Sequence, residues 1–81
     1  MTSWVLYIVE CNDGSLYTGI TTDLDKRLKR HNEGRATKYT RDRKPVRLVY
    51  KEIFNTESLA RRREIEVKKL SRQNKLKLIQ S

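Results

Sequence analysis

The segment that most constrains the fold is Trp4 to Glu10, which is apolar at consecutive positions and so offers no polar face to solvent. A run of this kind is typical of a central strand that is covered on both faces. A strong turn sequence ending in Gly14 follows directly, and Ser15 to Thr21 returns as a second strand. We therefore expect the chain to begin with a β-hairpin whose first strand lies at the centre of a sheet.

The length of the hairpin loop decides whether Tyr7 and Tyr17 share a face of that sheet. A two-residue loop would place the two tyrosines on opposite faces, because a shift of one residue reverses every side chain. A three-residue loop ending in a left-handed Gly14 would pair Tyr7 with Gly19 and Val9 with Tyr17. We predict the three-residue loop, because glycine at its third position is what that turn requires.

The remainder of the sequence predicts one more strand and three helices, from its capping residues and apolar periodicity. The first of these elements is a helix capped by Thr22 or Asp23 and running to about Glu33, followed by a polar loop over residues 35–46. A strand from Arg47 to Phe54 comes next. The last two elements are a helix capped by Asn55 or Thr56 and running to about Leu70, and a short helix capped by Ser71. The order β-β-α-β-α-α predicts an α+β fold. We expect one domain, over residues 1–81, with a small three-stranded antiparallel sheet, its first strand central, flanked by helices.

The charge of the chain indicates a class of partner. Lys and Arg number 19 against 10 Asp and Glu, a formal net charge of +9. An excess of this size favours nucleic acid, because phosphates neutralised by a protein release counterions. The candidate nucleic-acid-binding residues are cations from the middle of the chain and a tyrosine on which a base could stack. They are Lys26, Arg30, Arg35, Lys38, Tyr39 and Arg41.

Cysteine usage and hydropathy indicate the compartment. Cys11 is the only cysteine, so an internal disulfide is impossible and a reducing cytoplasm is favoured. The apolar run from Trp4 to Val9 is too short to span a bilayer and lacks the features of a signal peptide. We expect a cytoplasmic chain without membrane contact. A thiol nucleophile made from Cys11 and His31 is a weaker alternative, because a single buried cysteine usually packs as a small apolar residue.

Two of the predicted helices place polar side chains beside their apolar stripes. On the first, His31 lies on the stripe and Arg27 flanks it, where a guanidinium suits a phosphate. A buried, hydrogen-bonded imidazole explains His31 equally well. On the second, either Glu64 or Glu66 could hold a magnesium ion that keeps most of its waters, and an ion pair with arginine is the ordinary alternative for both.

These residues together resemble the GIY-YIG nuclease superfamily, and most closely its short single-domain bacterial branch. The similarity covers nearly the whole chain. Val5-Leu6-Tyr7 stands at the first motif of the family and Tyr17-Thr18-Gly19 at the second, followed in order by Arg27, His31 and Glu64. The departures are at Val5, Leu6 and Thr18, whereas both tyrosines and Gly19 are kept.

The resemblance implies a metal-dependent endonuclease that hydrolyses phosphodiester bonds in nucleic acid, with DNA favoured over RNA and with repair or recombination as its setting. In such an enzyme Tyr17 would deprotonate or orient the attacking water, and Tyr7 would help to position it. Arg27 would stabilise the charge of the transition state. His31 would contact the phosphate or orient Tyr17. Glu64 would hold one Mg²⁺ or Mn²⁺ ion.

Two other interpretations stay open. The first is a non-catalytic nucleic-acid-binding module of the same fold, which would bind the same partners without cleaving them. The second is a protein-interaction subunit whose basic face meets an acidic partner, for which weak and salt-insensitive DNA binding would be expected. Larger nucleases of this family usually carry a separate DNA-binding domain, so a protein partner that supplies specificity is a further expectation.

Overall fold

The computed structural model describes residues 3–81, and the first two residues of the predicted 1–81 domain lie outside that range. Within it, three strands and four helices follow one another along the chain. They are β1 (Trp4–Glu10), β2 (Leu16–Thr21), α1 (Leu24–Asn32), α2 (Lys38–Arg41), β3 (Arg47–Phe54), α3 (Glu57–Lys68) and α4 (Arg72–Gln80).

The three strands form one antiparallel sheet in the order β2-β1-β3. The predicted α+β fold with a central first strand is therefore confirmed. The one additional element is α2, which lies inside the segment predicted as a polar loop. Its four residues are too few to show helical periodicity, and Thr37 caps it by accepting a hydrogen bond from the Thr40 amide.

The hairpin between β1 and β2 has the register predicted from the three-residue loop. Tyr7 pairs with Gly19 and Val9 pairs with Tyr17. Gly14 is left-handed, with φ of +84°, and its amide donates to the carbonyl oxygen of Cys11 at 2.9 Å. Because Tyr7 and Tyr17 lie on pairs two residues apart, both side chains point to the same face of the sheet.

Both faces of the sheet are covered, which explains why β1 is apolar at consecutive positions. Tyr7 and Val9 pack in a cluster on one face, and Leu6 and Ile8 pack on the other face against Val67 of α3. All five of these side chains are fully buried. Successive residues of a strand point to opposite faces, so a central strand between two cores has no polar side.

The helices divide between the two faces. Leu24 and Leu28 bring α1 onto the face that carries Tyr7. Leu78 and Ile79 bring α4 onto the face that carries Leu6 and Ile8, where α3 also packs. Among residues 3–81, no helix is long and apolar enough to cross a membrane.

A β-bulge lets β3 contribute to both cores. Ile8 pairs with Tyr50 and Val9 pairs with Leu48, so Val49 is the extra residue on β3. Without the bulge Leu48 and Tyr50 would point to the same face. With it, Leu48 packs beside Val9 and Tyr50 packs beside Ile8 on opposite faces.

The helix caps resolve the alternatives that the sequence left open. Asp23, rather than Thr22, caps α1, and its carboxylate accepts from the Lys26 amide at 3.1 Å. Thr56, rather than Asn55, caps α3, and Ser71 caps α4 as predicted. The chain leaves α1 through a left-handed Gly34, with φ of +74°.

Candidate functional site

At the centre of the site the Tyr7 ring of β1 lies against Gly19, its pairing partner on β2. A Cβ atom at Gly19 would lie 2.6 Å from the Tyr7 hydroxyl oxygen and 2.7 Å from its Cζ. The backbone at Gly19 is not left-handed, so the requirement for glycine comes from this close approach alone. Gly19 therefore gives the Tyr7 ring the space it occupies.

His31 joins α1 to this tyrosine. Its Nε2 lies 2.9 Å from the Tyr7 hydroxyl oxygen, and its Nδ1 lies 2.7 Å from Oγ1 of Thr40. Tyr7, His31 and Thr40 are all fully buried. Burial, together with the positive charge of Arg27, lowers the pKa of His31 below its usual value. The imidazole is thus neutral at pH 7, with both nitrogens bonded inside the protein.

Tyr17 lies on the solvent side of this pair. Its ring centroid is 6.5 Å from that of Tyr7 and 5.4 Å from that of His31. Tyr39 of α2 packs beside it with centroids 5.7 Å apart, and the Lys68 ammonium lies 6.0 Å from its ring. Tyr17 is only half-buried, so of the two tyrosines it is the one that solvent reaches.

Arg27 lies in α1 beside the same tyrosines. Burial, helped by the neighbouring Tyr17, raises the pKa of Tyr7 to about 12, while the charge of Arg27 and a hydrogen bond from it act in the opposite direction. Arg27 also lines an open cleft of about 320 Å³ that continues along α1 past Lys26 and Arg30. The guanidinium is therefore placed between the tyrosine pair and a solvent-filled basic cleft.

The structure separates the two candidate glutamates of α3. The Glu64 side chain is 14% exposed and its charge reaches Tyr7. Glu66 is 58% exposed and bonds instead to Arg63 at 3.2 Å. One oxygen of Glu64, Oε2, bonds to the Lys68 ammonium at 3.2 Å.

Glu64 fits a divalent ion of one particular kind. Among residues 3–81 no three His, Cys, Asp or Glu side chains cluster in a way that could hold a metal. An ion here would have a single carboxylate ligand, through the oxygen that Lys68 leaves free. Magnesium tolerates such a site because it keeps several of its waters and takes substrate phosphate oxygens as ligands.

The predicted nucleic-acid-binding residues follow one surface from α1 to α2. The five cations are exposed, and three neighbouring clefts that share residues along this surface are lined by them. These cations are Lys26, Arg30, Arg35, Lys38 and Arg41. Tyr39 is 38% exposed and lies between the Tyr17 ring and the Arg43 guanidinium, whose Cζ is 4.2 Å from its centroid.

Three residues at this site were not among those predicted from sequence: Thr40, Arg43 and Lys68. Lys68 lies four residues after Glu64, a spacing that predicts an ion pair on a helix and could have been used. Arg43 lies four residues after Tyr39, but the segment was predicted as a loop, for which that spacing predicts no contact. Thr40 could not have been found, because it reaches His31 only after residues 35–46 fold against α1.

Comparison with known proteins decides the family. The profile of the GIY-YIG catalytic domain matches residues 3–77. This chain belongs to the GIY-YIG family. A UPF0213 protein of Staphylococcus saprophyticus is 58% identical over 74 residues, which covers 91% of this chain and 90% of the relative. The solution NMR structure of a UPF0213 protein from Bacillus halodurans is 50% identical, with a TM-score of 0.63, and the match covers 96% of this chain and 83% of that one.

These matches confirm the resemblance that the two tyrosine motifs suggested. They place the chain in a nuclease superfamily and among short relatives that it matches over nearly their full length. A second relative, a UPF0213 protein of Staphylococcus haemolyticus, is 52% identical over 80 residues, or 99% of this chain and 98% of its own. The names of these relatives state no substrate.

Proposed function

We propose that this GIY-YIG chain is a metal-dependent endonuclease that hydrolyses phosphodiester bonds in DNA, acting in repair or recombination. The observation that supports the proposal is the convergence of Tyr7, Tyr17 and His31 on one face of the sheet. Arg27 and Glu64 approach this cluster from two different helices: both charges act on Tyr7, and Lys68, which pairs with Glu64, lies 6.0 Å from the centroid of the Tyr17 ring. This arrangement supports the proposal, because the reaction needs a group to handle the attacking water, a cation for the phosphate and a carboxylate for the metal.

The difference in exposure between the two tyrosines supports a different proposed role for each. Tyr17 is reached by solvent and would deprotonate or orient the attacking water, with the Lys68 ammonium beside its ring. Tyr7 is buried and stays a neutral phenol at pH 7, so it would position that water or the phosphate by hydrogen bonding. His31 holds Tyr7 in place, because both of its nitrogens are already bonded within the protein.

Arg27 and Glu64 would act on the phosphate. Arg27 can donate forked hydrogen bonds to the non-bridging oxygens, where negative charge grows in the transition state. Glu64 would hold one Mg²⁺ or Mn²⁺ ion, which would neutralise charge on the leaving oxygen. The Arg27 cleft and the exposed cations beyond it would bind the backbone on one side of the scissile bond.

The test of the reaction is cleavage of end-labelled duplex, nicked, branched and single-stranded DNA, with RNA counterparts, in Mg²⁺ or Mn²⁺. We expect the wild type to cut at least one DNA substrate and chelation by EDTA to abolish cleavage. Tyr17→Phe and Glu64→Gln should each reduce kcat by about 100-fold or more. Glu66→Gln is the matched control on the same helix and should keep wild-type activity.

Near-normal turnover by Glu64→Gln would overturn the assignment of Glu64 as the metal ligand. The alternative function, a nucleic-acid-binding module without catalysis, is favoured by one observation: Lys68 already neutralises Glu64. Salt-dependent binding without cleavage of any substrate, in either metal, would establish that alternative.

The binding surface has a separate test. Lys26 and Arg30 line two neighbouring clefts on α1. The double variant Lys26→Glu/Arg30→Glu should weaken DNA binding and make the slope of log K against log salt shallower by about 2. The matched control is Arg72→Glu/Lys77→Glu, which makes the same charge change on exposed positions of α4. An equal loss in both variants would show that net charge, and not this surface, binds DNA.

A further inference from the structure

A continuous chain of hydrogen bonds leads from the centre of the sheet to the start of α2. The Tyr7 hydroxyl oxygen is 2.9 Å from Nε2 of His31, and Nδ1 of His31 is 2.7 Å from Oγ1 of Thr40. Oγ1 of Thr40 is in turn 2.9 Å from Oγ1 of Thr37. The first three side chains are fully buried, and Thr37 is half-buried and lines a surface cleft.

The two hydrogen bonds of the neutral His31 ring can be arranged in only two consistent ways, and in each the best-satisfied direction of the Thr40–Thr37 bond follows. A hydroxyl has one proton to donate, and a neutral imidazole has one N–H and one accepting nitrogen. In the outward arrangement Tyr7 donates to Nε2, Nδ1–H donates to Thr40, and Thr40 donates to Thr37. In the inward arrangement every bond is reversed, so Nε2–H donates to the oxygen of Tyr7.

The outward arrangement satisfies every buried donor. In the inward one the Tyr7 proton must find another acceptor, yet within residues 3–81 the only hydrogen-bond acceptor at its hydroxyl is His31. The adjacent Arg27 can donate but not accept. A buried hydroxyl without an acceptor is costly, so the outward arrangement is favoured in the free protein.

From this geometry we infer that Thr40 is a positioning residue, which accepts from Nδ1–H of His31 and so holds the imidazole in the orientation in which Nε2 accepts from Tyr7. The Tyr7 oxygen is then left to accept a hydrogen bond, from Arg27 or from the attacking water that it would position. Thr37 supports this arrangement, because its Oγ1 accepts the hydrogen bond of the Thr40 hydroxyl, which would otherwise have no partner. The catalytic consequence rests on the proposed nuclease function, whereas the tautomer does not.

The experiment exploits the single histidine of the chain. Tag-free protein labelled with ¹⁵N-histidine gives long-range ¹H–¹⁵N spectra in which each ring nitrogen reports whether it carries a proton. Above pH 7 the wild type should show a protonated Nδ1 and an unprotonated Nε2. Thr40→Ser keeps the hydroxyl and should give the same pattern. Thr40→Val keeps the shape but removes the acceptor of Nδ1–H, so the Nδ1 proton, which should exchange slowly with water in the wild type, should exchange faster in this variant.

A wild-type spectrum with the proton on Nε2 would overturn the inference, and so would a Thr40→Val protein whose Nδ1 proton exchanges as slowly as that of the wild type. The wild-type and Thr40→Ser spectra decide the tautomer even if Thr40→Val does not fold. These spectra require no cleavage, so a failure of the nuclease proposal would be seen separately as inactive wild type with the expected tautomer.

The kinetic consequence distinguishes positioning from simple support of the fold. Where the wild type cleaves DNA, Thr40→Val should lower kcat about tenfold and leave KM unchanged, because the hydrogen bond that holds His31, and through it Tyr7, is lost while the binding surface is intact. Thr40→Ser should restore kcat. Equal activity of Thr40→Val and wild type would overturn the role of Thr40 in catalysis.

Discussion

Substitution of Gly19 by alanine tests the close approach on which the site is built. The added Cβ would meet the Tyr7 hydroxyl oxygen at 2.6 Å, Cζ at 2.7 Å and Cε1 at 3.1 Å, whereas ordinary contact begins at 3.4 Å. Tyr7 cannot swing away freely, because it is fully buried and hydrogen-bonded to His31. The substitution must therefore displace a packed ring.

The expected cost follows from these two contacts. Overfilling a packed core costs about 1–3 kcal/mol, and loss of the hydrogen bond to His31 adds about 1 kcal/mol. We expect Gly19→Ala to lower the free energy of unfolding by about 2–4 kcal/mol. A chain of 81 residues has a total free energy of unfolding of about 4–12 kcal/mol. At about 4–8 °C per kcal/mol for a domain of this size, the melting temperature should fall by about 8–32 °C.

The predicted change in the free energy of unfolding has the opposite sign to the usual effect of Gly→Ala. Where the backbone can accept alanine without strain, Gly→Ala usually stabilises by about 0.4–1 kcal/mol, because it restricts the unfolded chain. The backbone at Gly19 is such a case, apart from the contact with Tyr7. Urea unfolding followed by circular dichroism and by the fluorescence of Trp4, the only tryptophan, measures the change.

A double-mutant cycle assigns the cost to Tyr7. Tyr7→Leu removes the hydroxyl, Cζ and Cε1, the three atoms that the new Cβ would meet. In that background Gly19→Ala should be neutral or stabilising, which gives a coupling energy of about 2–4 kcal/mol. A Gly19→Ala protein as stable as the wild type, or a cost that persists in the Tyr7→Leu background, would refute the explanation.

Two predictions concern ionisation. Burial and the charge of Arg27 lower the pKa of His31, so an NMR titration of His31 should have its midpoint below pH 6.5. The free energy of unfolding should fall as the pH drops below 6.5, because the unfolded chain binds the proton first. A midpoint at or above 6.5 contradicts this prediction. Burial opposes ionisation of Glu52, but hydrogen bonds from Arg63 and Tyr50 still hold the pKa of Glu52 below its usual 4.5. Arg63→Met should therefore cost about 1–2 kcal/mol at pH 7 and progressively less as the pH falls below 4.5, as urea unfolding at several pH values would show. A cost that does not change with pH would indicate lost packing rather than a lost ion pair.

Local patterns in the sequence were sufficient for the elements of the fold. The consecutive apolar residues of β1 and the turn ending in Gly14 gave the hairpin and its register, because both depend on residues within one turn of chain. Helix caps were predictable to within one residue for the same reason. The β-bulge at Val49 could not be predicted from the sequence, since it depends on which face of the sheet Leu48 and Tyr50 pack against.

The candidate site also has parts that the sequence could predict and parts that it could not. Tyr7, Tyr17 and Gly19 could be placed on one face from the hairpin register alone, and Arg27 and His31 could be placed on one side of a helix from their spacing. What the sequence could not show is which groups bond. Periodicity allowed either Glu64 or Glu66 as the carboxylate, and only the packing of α3 across the sheet brings the charge of Glu64 to Tyr7.

The sequence by itself determined the central strand, the hairpin register, the basic surface and the family. Each of these depends on residues that are close together in the chain, on the charge composition, or on the order of the motifs. The tertiary structure alone decided the chemistry of His31. Residues 35–46 fold back over the Tyr7 face and deliver Thr40 to Nδ1, a contact between positions nine residues apart that neither strand nor helix periodicity encodes. Long-range packing therefore selects the partners of the titratable groups, and those partners set the proton positions on which any reaction at this site depends.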